Sequence, residues 1–243
     1  MLEALAWGLA ASSSLLIGAI IGLRVPLPDR ALGLLMGLGA GALISGVSFE
    51  LAEEAIGKGG FTPLALGLAA GALLFYAGDR ALAAQGNRRK SMRPRGAHPE
   101  SSGGTLALGA LLDGIPEQAA IGIGLAAGGD VGIALVGAVF LSNVPEALGS
   151  AAAMKKAKRP ASHVLGLWTA VTLVTALASM LGYAALGDAS GDVNAVILGI
   201  AAGAVITMMT DSMIPEAVKH GGQSVGLVTC LGFALAVLVH QAA

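Results

Sequence analysis

Charged residues are scarce in this sequence. Asp, Glu, Lys and Arg make up 12% of its 243 residues, about half of the roughly 25% that soluble domains carry. Hydrophobic residues make up 55%. So little polar surface excludes an ordinary soluble domain and indicates an integral membrane protein.

Cysteine and histidine are also rare, and this limits the chemistry. The single cysteine, Cys230, excludes an internal disulfide and a thiolate metal cluster. No H-E-x-x-H motif occurs, and the polar stretch around Ser142 has no histidine to act as a base. We therefore expect no enzyme, no resident cofactor and no nucleic-acid partner.

Long apolar runs provide the architecture. A membrane-spanning helix needs about 20 mostly apolar residues, and eight such runs are present. The 37 glycines, about twice the usual share of roughly 7%, are typical of helices packed closely in a membrane. The predicted spans are 2–23, 31–51, 62–83, 104–127, 131–154, 162–187, 194–216 and 224–241.

Positive charges predict the orientation of these spans. Of the 14 Lys and Arg residues, all but Lys58 lie at the ends of spans one, three, five or seven or in the connections that follow them. Since cytoplasmic loops carry the excess of positive charge, we expect a multi-pass protein of the cell (inner) membrane with both termini outside. The longest connection is basic and rich in Gly, Ser and Pro, which predicts a flexible cytoplasmic loop.

An internal repeat links the second span with the seventh. Segment Gly37–Ala55 aligns without gaps on Gly199–Ala217, with seven of nineteen positions identical. Because these two spans run in opposite directions, the repeat is inverted, as in many secondary transporters. We expect an all-α membrane protein with eight transmembrane helices in a 3+2+3 arrangement. Its units are a first three-helix repeat (1–83), the basic loop (84–103), a central two-helix unit (104–154) and a second three-helix repeat (155–243).

Carboxylates lie near the centres of the two middle spans. A charge at the centre of an inserted helix costs roughly 2.5–3.5 kcal/mol, so a cation, a proton or water must compensate for it. Asp113 and Glu117 lie four residues apart, on one helix face, and Asn143 lies three residues before Glu146. Each span also contains a proline, which leaves a backbone carbonyl without its helical partner. These oxygen donors together are typical of a site for a hard cation.

The two Pro-Glu motifs resemble those of the ZIP family, the zinc- and iron-type divalent-metal permeases. The family pattern His-Asn-x-Pro-Glu-Gly corresponds to residues 113–118, and His-x-x-Pro-Glu corresponds to residues 142–146. The resemblance implies transport of a divalent cation (Zn, Fe, Mn, Cd or Co) as substrate, by alternating access, in a divergent bacterial-type member. A homodimer is one possible assembly. The metal ligands that it implies are Asp113, Glu117, Ser142, Asn143 and Glu146.

Departures from the family pattern concern the choice of metal. Neither family histidine is present, and Gly114 replaces an asparagine ligand. Imidazole favours zinc, whereas oxygen ligands suit Mn²⁺, Mg²⁺, Ca²⁺ or Fe²⁺ better. The resemblance therefore predicts the fold and the class of substrate and leaves the metal open.

Acidic residues at the ends of the two repeated spans predict a pathway. Glu50 and Glu54 are expected at the outer face, and Asp211 and Glu216 at the cytoplasmic face. Two other functions remain open: a proton-linked carrier of an organic solute, and a ZIP-like protein that no longer transports. The site also has an alternative interpretation. In it, Asp113 and Glu117 share a proton and bind no metal.

Overall fold

The computed structural model describes residues 1–91, 103–126, 133–186 and 191–242, with only the backbone of some of these, Asp113 among them. The described residues are almost entirely helical and contain no strand. Two short π-helical segments, here π1 and π2, interrupt longer helices. The elements are α1 Leu2–Arg24, α2 Asp29–Gly46, π1 Val47–Ala52, α3 Glu53–Gly59, α4 Phe61–Ser91, α5 Gly103–Ala126, α6 Ile133–Lys156, α7 Ala161–Leu186, α8 Gly191–Met208, π2 Met209–Met213, α9 Ile214–Gly221, a 3₁₀ turn Gly222–Ser224, and α10 Val225–Ala242.

Six helical stretches in the described part are long and apolar enough to cross a membrane. The longest, Gly191–Ala242, has 52 residues and runs from α8 to α10. The chain is thus an all-helical protein with several candidate membrane spans, as expected. Helix α4 continues to Ser91, beyond the predicted end of the third span at residue 83. The rest of the predicted loop, residues 92–102, lies outside the described residues.

Glycines allow the helices to pack backbone against backbone. A Cβ atom at Gly18 of α1 would overlap the carbonyl oxygen of Val144 on α6, and one at Gly122 of α5 would overlap that of Ser179 on α7. Apolar side chains gain little by leaving lipid for a protein interior, so close van der Waals packing through small residues holds such helices together. This explains the high glycine content.

The helices pack as two groups that share one interface. In the first group, α1 packs against α6 and α7, and α5 packs against α7. In the second, α4 packs against α8, and α10 against α2. Helix α2 then packs against α6, and α8 against α5. The two helices with an internal proline, α5 and α6, therefore lie where the groups meet.

The internal repeat has a structural counterpart in the backbone. The alignment pairs Val47 with Met209, and these are the first residues of π1 and π2. Continued without gaps for five more residues, it pairs Gly60 with Gly222, whose φ angles of 78° and 67° lie in the left-handed region that favours glycine. Single π-turns within α-helices are rare, so their occurrence at paired positions supports a common origin of the two segments.

Candidate functional site

Helices α5 and α6 continue through their internal prolines, Pro116 and Pro145. In each helix a glutamate follows the proline directly. Glu117 on α5 is buried, with 3% of its surface exposed, and Glu146 on α6 is partly buried. A buried carboxylate inside a helical membrane protein is costly and typically marks a functional site.

Glu117 and Ser142 are the residues of this site that the structure brings together. The Ser142 hydroxyl oxygen lies 3.4 Å from Oε1 and 3.5 Å from Oε2 of Glu117. Its shortest contact, at 2.9 Å, is with the Val139 carbonyl oxygen, which also accepts a hydrogen bond from this hydroxyl. The hydroxyl and carboxylate oxygens therefore lie side by side. Two donors about 2.1 Å from one ion at tetrahedral angles lie about 3.4 Å apart, so this spacing suits a shared cation.

Asn143 contributes an amide to the same stretch of α6. It is 1% exposed, and neither its Oδ1 nor its Nδ2 has a hydrogen-bond partner among the described residues. A buried polar group without a partner costs about 1–3 kcal/mol. The amide oxygen is a suitable donor for a cation, and binding would recover part of that cost.

Helix α2 closes one side of the site at Gly39. A Cβ atom on this residue would lie 2.8 Å from the Cα of Ser142 and 3.1 Å from the Cε of Met213. Only glycine allows α2 to approach the backbone of α6 this closely. Met213 belongs to π2 and is buried, so both repeated segments contact the wall of the site.

Asp113, the remaining predicted ligand, lies on α5 one helical turn before Glu117. Its side chain lies outside what the structure describes. Among the described side chains, no group of three or more His, Cys, Asp or Glu residues is close enough to hold a metal ion. The described donors of the site are accordingly carboxylate, hydroxyl and amide oxygens.

The predicted pathway residues lie at the ends of the two repeated helices, in different surroundings. Glu50 in π1 contacts His240 at the end of α10, with 2.8 Å between Oε1 and Nδ1. Asp211 in π2 is exposed. The other two residues form ion pairs with the residue four positions later: Glu54 with Lys58 at 3.4 Å, and Glu216 with His220 at 3.8 Å.

A cavity of about 250 Å³ lies between π1 and π2. Its only side-chain hydroxyls, those of Ser48 and Thr210, donate to the carbonyl oxygens of their own helices. No charged group lines it, so it is unsuited to a cation. Its lining residues are Ile44, Val47, Ser48, Ile206, Met209, Thr210 and Ile214.

Two residues near the site or pathway were not singled out by sequence reasoning. Gln118 is fully buried directly after Glu117, and both polar atoms of its side chain lack partners among the described residues. Its sequence position could have indicated it, because Gln118 is a polar residue in the middle of an apolar span. His240 had no local signal, because its partner Glu50 is 190 residues away in sequence.

Comparison with known proteins does not assign the chain to a family: it matches no family model and no curated protein sequence.

Proposed function

We propose that the chain is a divalent-metal transporter of the ZIP type, with eight spans in a 3+2+3 arrangement. A span requires about 20 residues, so the 52-residue stretch Gly191–Ala242 is long enough for two. Helix α5, with 24 residues, is also long enough for one. Counting both with the other five candidate stretches gives eight spans.

Inversion of the two three-helix repeats has support from matched details. The paired positions share a π-turn, a left-handed glycine and an i,i+4 ion pair, since Glu54 with Lys58 corresponds to Glu216 with His220. In the eight-span arrangement the second copy begins five spans after the first, which is an odd offset, so it runs the opposite way across the membrane. Transporters built in this way hold their substrate near the midplane, between the repeats.

The observation that carries the proposal is the buried carboxylate of Glu117 beside the Ser142 hydroxyl, next to which in the chain lies the Asn143 amide, without a partner among the described residues. Negative charge and neutral oxygens converge there, while no basic side chain among the described residues of α5 and α6 lies at that depth. The site thus favours a cation over an anion. Glu146 and Asp113 supply the further carboxylates of the proposed site.

The donor set also favours particular cations. Carboxylate, hydroxyl and amide oxygens suit Mn²⁺, Fe²⁺ and other hard or borderline ions, whereas imidazole or thiolate ligands would favour zinc or softer ions. Zn²⁺, Cd²⁺ and Co²⁺ remain substrates to compare. The ion passes Glu50 and Glu54 at the outer face, binds at Glu117, and leaves past Asp211 and Glu216 at the cytoplasmic face.

Alternating access follows from the position of the site between the two helix groups. Ser142 lies on α6 against Gly39 of α2, where the two groups meet. A relative movement of the groups would expose the bound ion first to one side of the membrane and then to the other.

Metal uptake into proteoliposomes made with the purified chain tests this function. We expect saturable uptake of at least one of Mn²⁺, Fe²⁺, Zn²⁺, Cd²⁺ and Co²⁺. Uptake should fall to background in Glu117→Gln and decrease strongly in Glu146→Gln. Glu53→Gln, which changes an exposed carboxylate, is the matched control and should retain uptake.

Absence of uptake for every metal, with the protein folded, would contradict the proposal. It would favour a carrier of an organic solute or a ZIP-like protein without transport.

A further inference from the structure

A carboxylate in π1 and an imidazole at the end of α10 meet beside the first copy of the repeat. Oε1 of Glu50 lies 2.8 Å from Nδ1 of His240, which is a normal hydrogen-bond distance. The Glu50 side chain is 17% exposed and that of His240 is 37% exposed. The pair lies about 15 Å along α2 and π1 from Gly39, which contacts the candidate site.

Aromatic side chains fix the orientation of the His240 ring. Phe49 stacks on it, with ring centroids 5.6 Å apart and an angle of 24° between the planes. Phe49 in turn contacts Phe233, with centroids 6.3 Å apart. The imidazole therefore keeps Nδ1 toward Glu50 and Nε2 on the opposite side of the ring.

This arrangement is the one that metal-binding histidines commonly adopt. A histidine ligand usually donates its second ring N–H to a carboxylate, which fixes the tautomer and makes the ligating nitrogen more basic. In the neutral ring with Nδ1–H donating to Glu50, the lone pair lies on Nε2. No rearrangement of the contact is needed for Nε2 to bind a metal.

The helices that carry the pair are locked together. A Cβ atom at Gly41 of α2 would overlap the Thr229 carbonyl oxygen of α10, and one at Gly232 of α10 would overlap the Leu38 carbonyl oxygen of α2. Such backbone contact resists relative movement of the two helices. Glu50 and His240 thus keep their separation while other helices move, which makes them a preformed site rather than a gate.

The two positions that correspond to Glu50 and His240 in the other half of the repeat hold different residues. The alignment of the repeats places Ser212 at the position of Glu50. Gly71 of α4 packs on the Ile200 carbonyl oxygen as Gly232 of α10 packs on that of Leu38. His240 lies eight residues after Gly232, and the residue eight positions after Gly71 is Asp79, which therefore corresponds to His240. A serine and an aspartate replace the carboxylate and the imidazole, so the pair is specific to one face of the membrane.

We infer that Glu50 and His240 form a docking site for a divalent transition-metal cation at the outer mouth of the pathway. Nε2 of His240 is the ligand, and Glu50 orients the ring and adds negative charge. That the metal is the transported substrate rests on the proposed function. No third His, Cys, Asp or Glu side chain joins the pair among the described residues. Water therefore completes the coordination, and weak binding suits an ion that must move on.

Protection of His240 from diethyl pyrocarbonate, measured by mass spectrometry on the full-length protein in lipid nanodiscs, tests this site. Zn²⁺ alone is the probe, and Mg²⁺, which binds imidazole poorly, is the comparison ion. We expect Zn²⁺ to slow modification of His240. The Zn²⁺ concentration for half protection should rise about 10- to 100-fold in Glu50→Gln, as for the loss of a carboxylate that orients a histidine ligand. Glu53→Gln should leave it unchanged.

His220 provides an internal comparison, since it pairs with Glu216 in the second repeat. Glu50→Gln should not alter its modification.

Equal modification of His240 with and without Zn²⁺ would overturn the docking site, even if the protein transports metal. Protection that persists unchanged in Glu50→Gln would overturn the role of the carboxylate. Protection of His240 in a protein that takes up no metal would instead contradict the proposed function and leave the docking site standing. The same protection in Glu117→Gln as in the unmodified chain would show that the two sites bind separately.

Discussion

Helices α5 and α6 carry the same motif and present different chemistry. Pro116-Glu117 on α5 matches Pro145-Glu146 on α6, but Glu117 is 3% exposed whereas Glu146 is only partly buried. Three positions around the motif differ in charge or polarity. Asp113, Gly114 and Gln118 on α5 correspond to Ser142, Asn143 and Ala147 on α6.

The difference follows from what each helix packs against. Ala147 lies against Gly18 of α1, where no larger side chain would fit, and Gly114 lies against Thr175 of α7. On α6, Ser142 lies against Gly39 of α2, and the neighbouring Asn143 is buried. Helix α5 supplies the more buried of the two glutamates, and α6 supplies the Ser142 oxygen beside it. A repeated motif can thus provide charge from one copy and neutral donors from the other.

Loss of the Glu117 charge should have the largest effect on metal binding, and it should separate the role of α5 from that of α6 most clearly. A bound ligand at 100 times its Kd stabilises a protein by about 2.7 kcal/mol, so a transported metal should raise the melting temperature of the unmodified chain. We expect no such rise in Glu117→Gln and a reduced one in Glu146→Gln. Thermal unfolding in detergent, with and without metal, measures both. Equal loss in the two variants would mean that the helices are equivalent.

A side chain at Gly39 should have the next largest effect, because it acts on α6 and not on α5. The Cβ atom of Gly39→Ala would press on the Ser142 backbone, and overpacking of this kind typically costs 1–3 kcal/mol. We expect lower thermal stability and slower metal uptake. Gly137→Ala on α6 is the control, since nothing lies within 4 Å of its Cβ position. Unchanged uptake in Gly39→Ala would remove α2 from the wall of the site.

Ser142→Ala should have an intermediate effect. It removes one neutral oxygen and keeps every charge, so we expect the apparent affinity for metal to fall about tenfold, or about 1.4 kcal/mol. The concentration dependence of uptake measures this. Ser162→Ala, at an exposed position in α7, is the control. An unchanged affinity would show that the 3.4 Å approach of Ser142 to Glu117 has no part in binding.

Gln118→Met should have the smallest effect. It gives α5 an apolar residue where α6 has Ala147, and it removes two buried polar atoms without partners among the described residues. We expect the free energy of unfolding to rise by about 1 kcal/mol with little change in uptake. Gln223→Met, at an exposed position, should change it by less than about 0.5 kcal/mol. A clear loss of stability in Gln118→Met would mean that the amide is hydrogen-bonded to water.

The helical fold was predictable because membrane spans leave a long signal in composition. Apolar length alone predicted helices at all eight positions, within a few residues at most ends. The end of α4 at Ser91 was missed, because a basic and polar stretch resembles a loop whether or not a helix continues through it. The π-turns also had no local signal, although the repeat alignment paired the residues at which they begin.

The site was predictable in part. The i,i+4 spacing and the proline pointed to Glu117, and the family resemblance added Ser142; the structure brings these two residues together. Contacts between distant helices were not predictable from spacing: Gly39 against Ser142, and His240 against Glu50. They depend on how α2 packs against α6 and α10, and a single sequence does not encode that packing in any short pattern.

Anomalous X-ray diffraction from crystals grown with a transported divalent metal tests the central claim most directly. We predict one strong anomalous peak between α5 and α6, about 2.0–2.2 Å from a Glu117 carboxylate oxygen for Zn²⁺. Ser142 and Asn143 should lie on the same side of that peak, and it should be absent in Glu117→Gln. Peaks confined to surface residues, with no density at Glu117, would contradict the account.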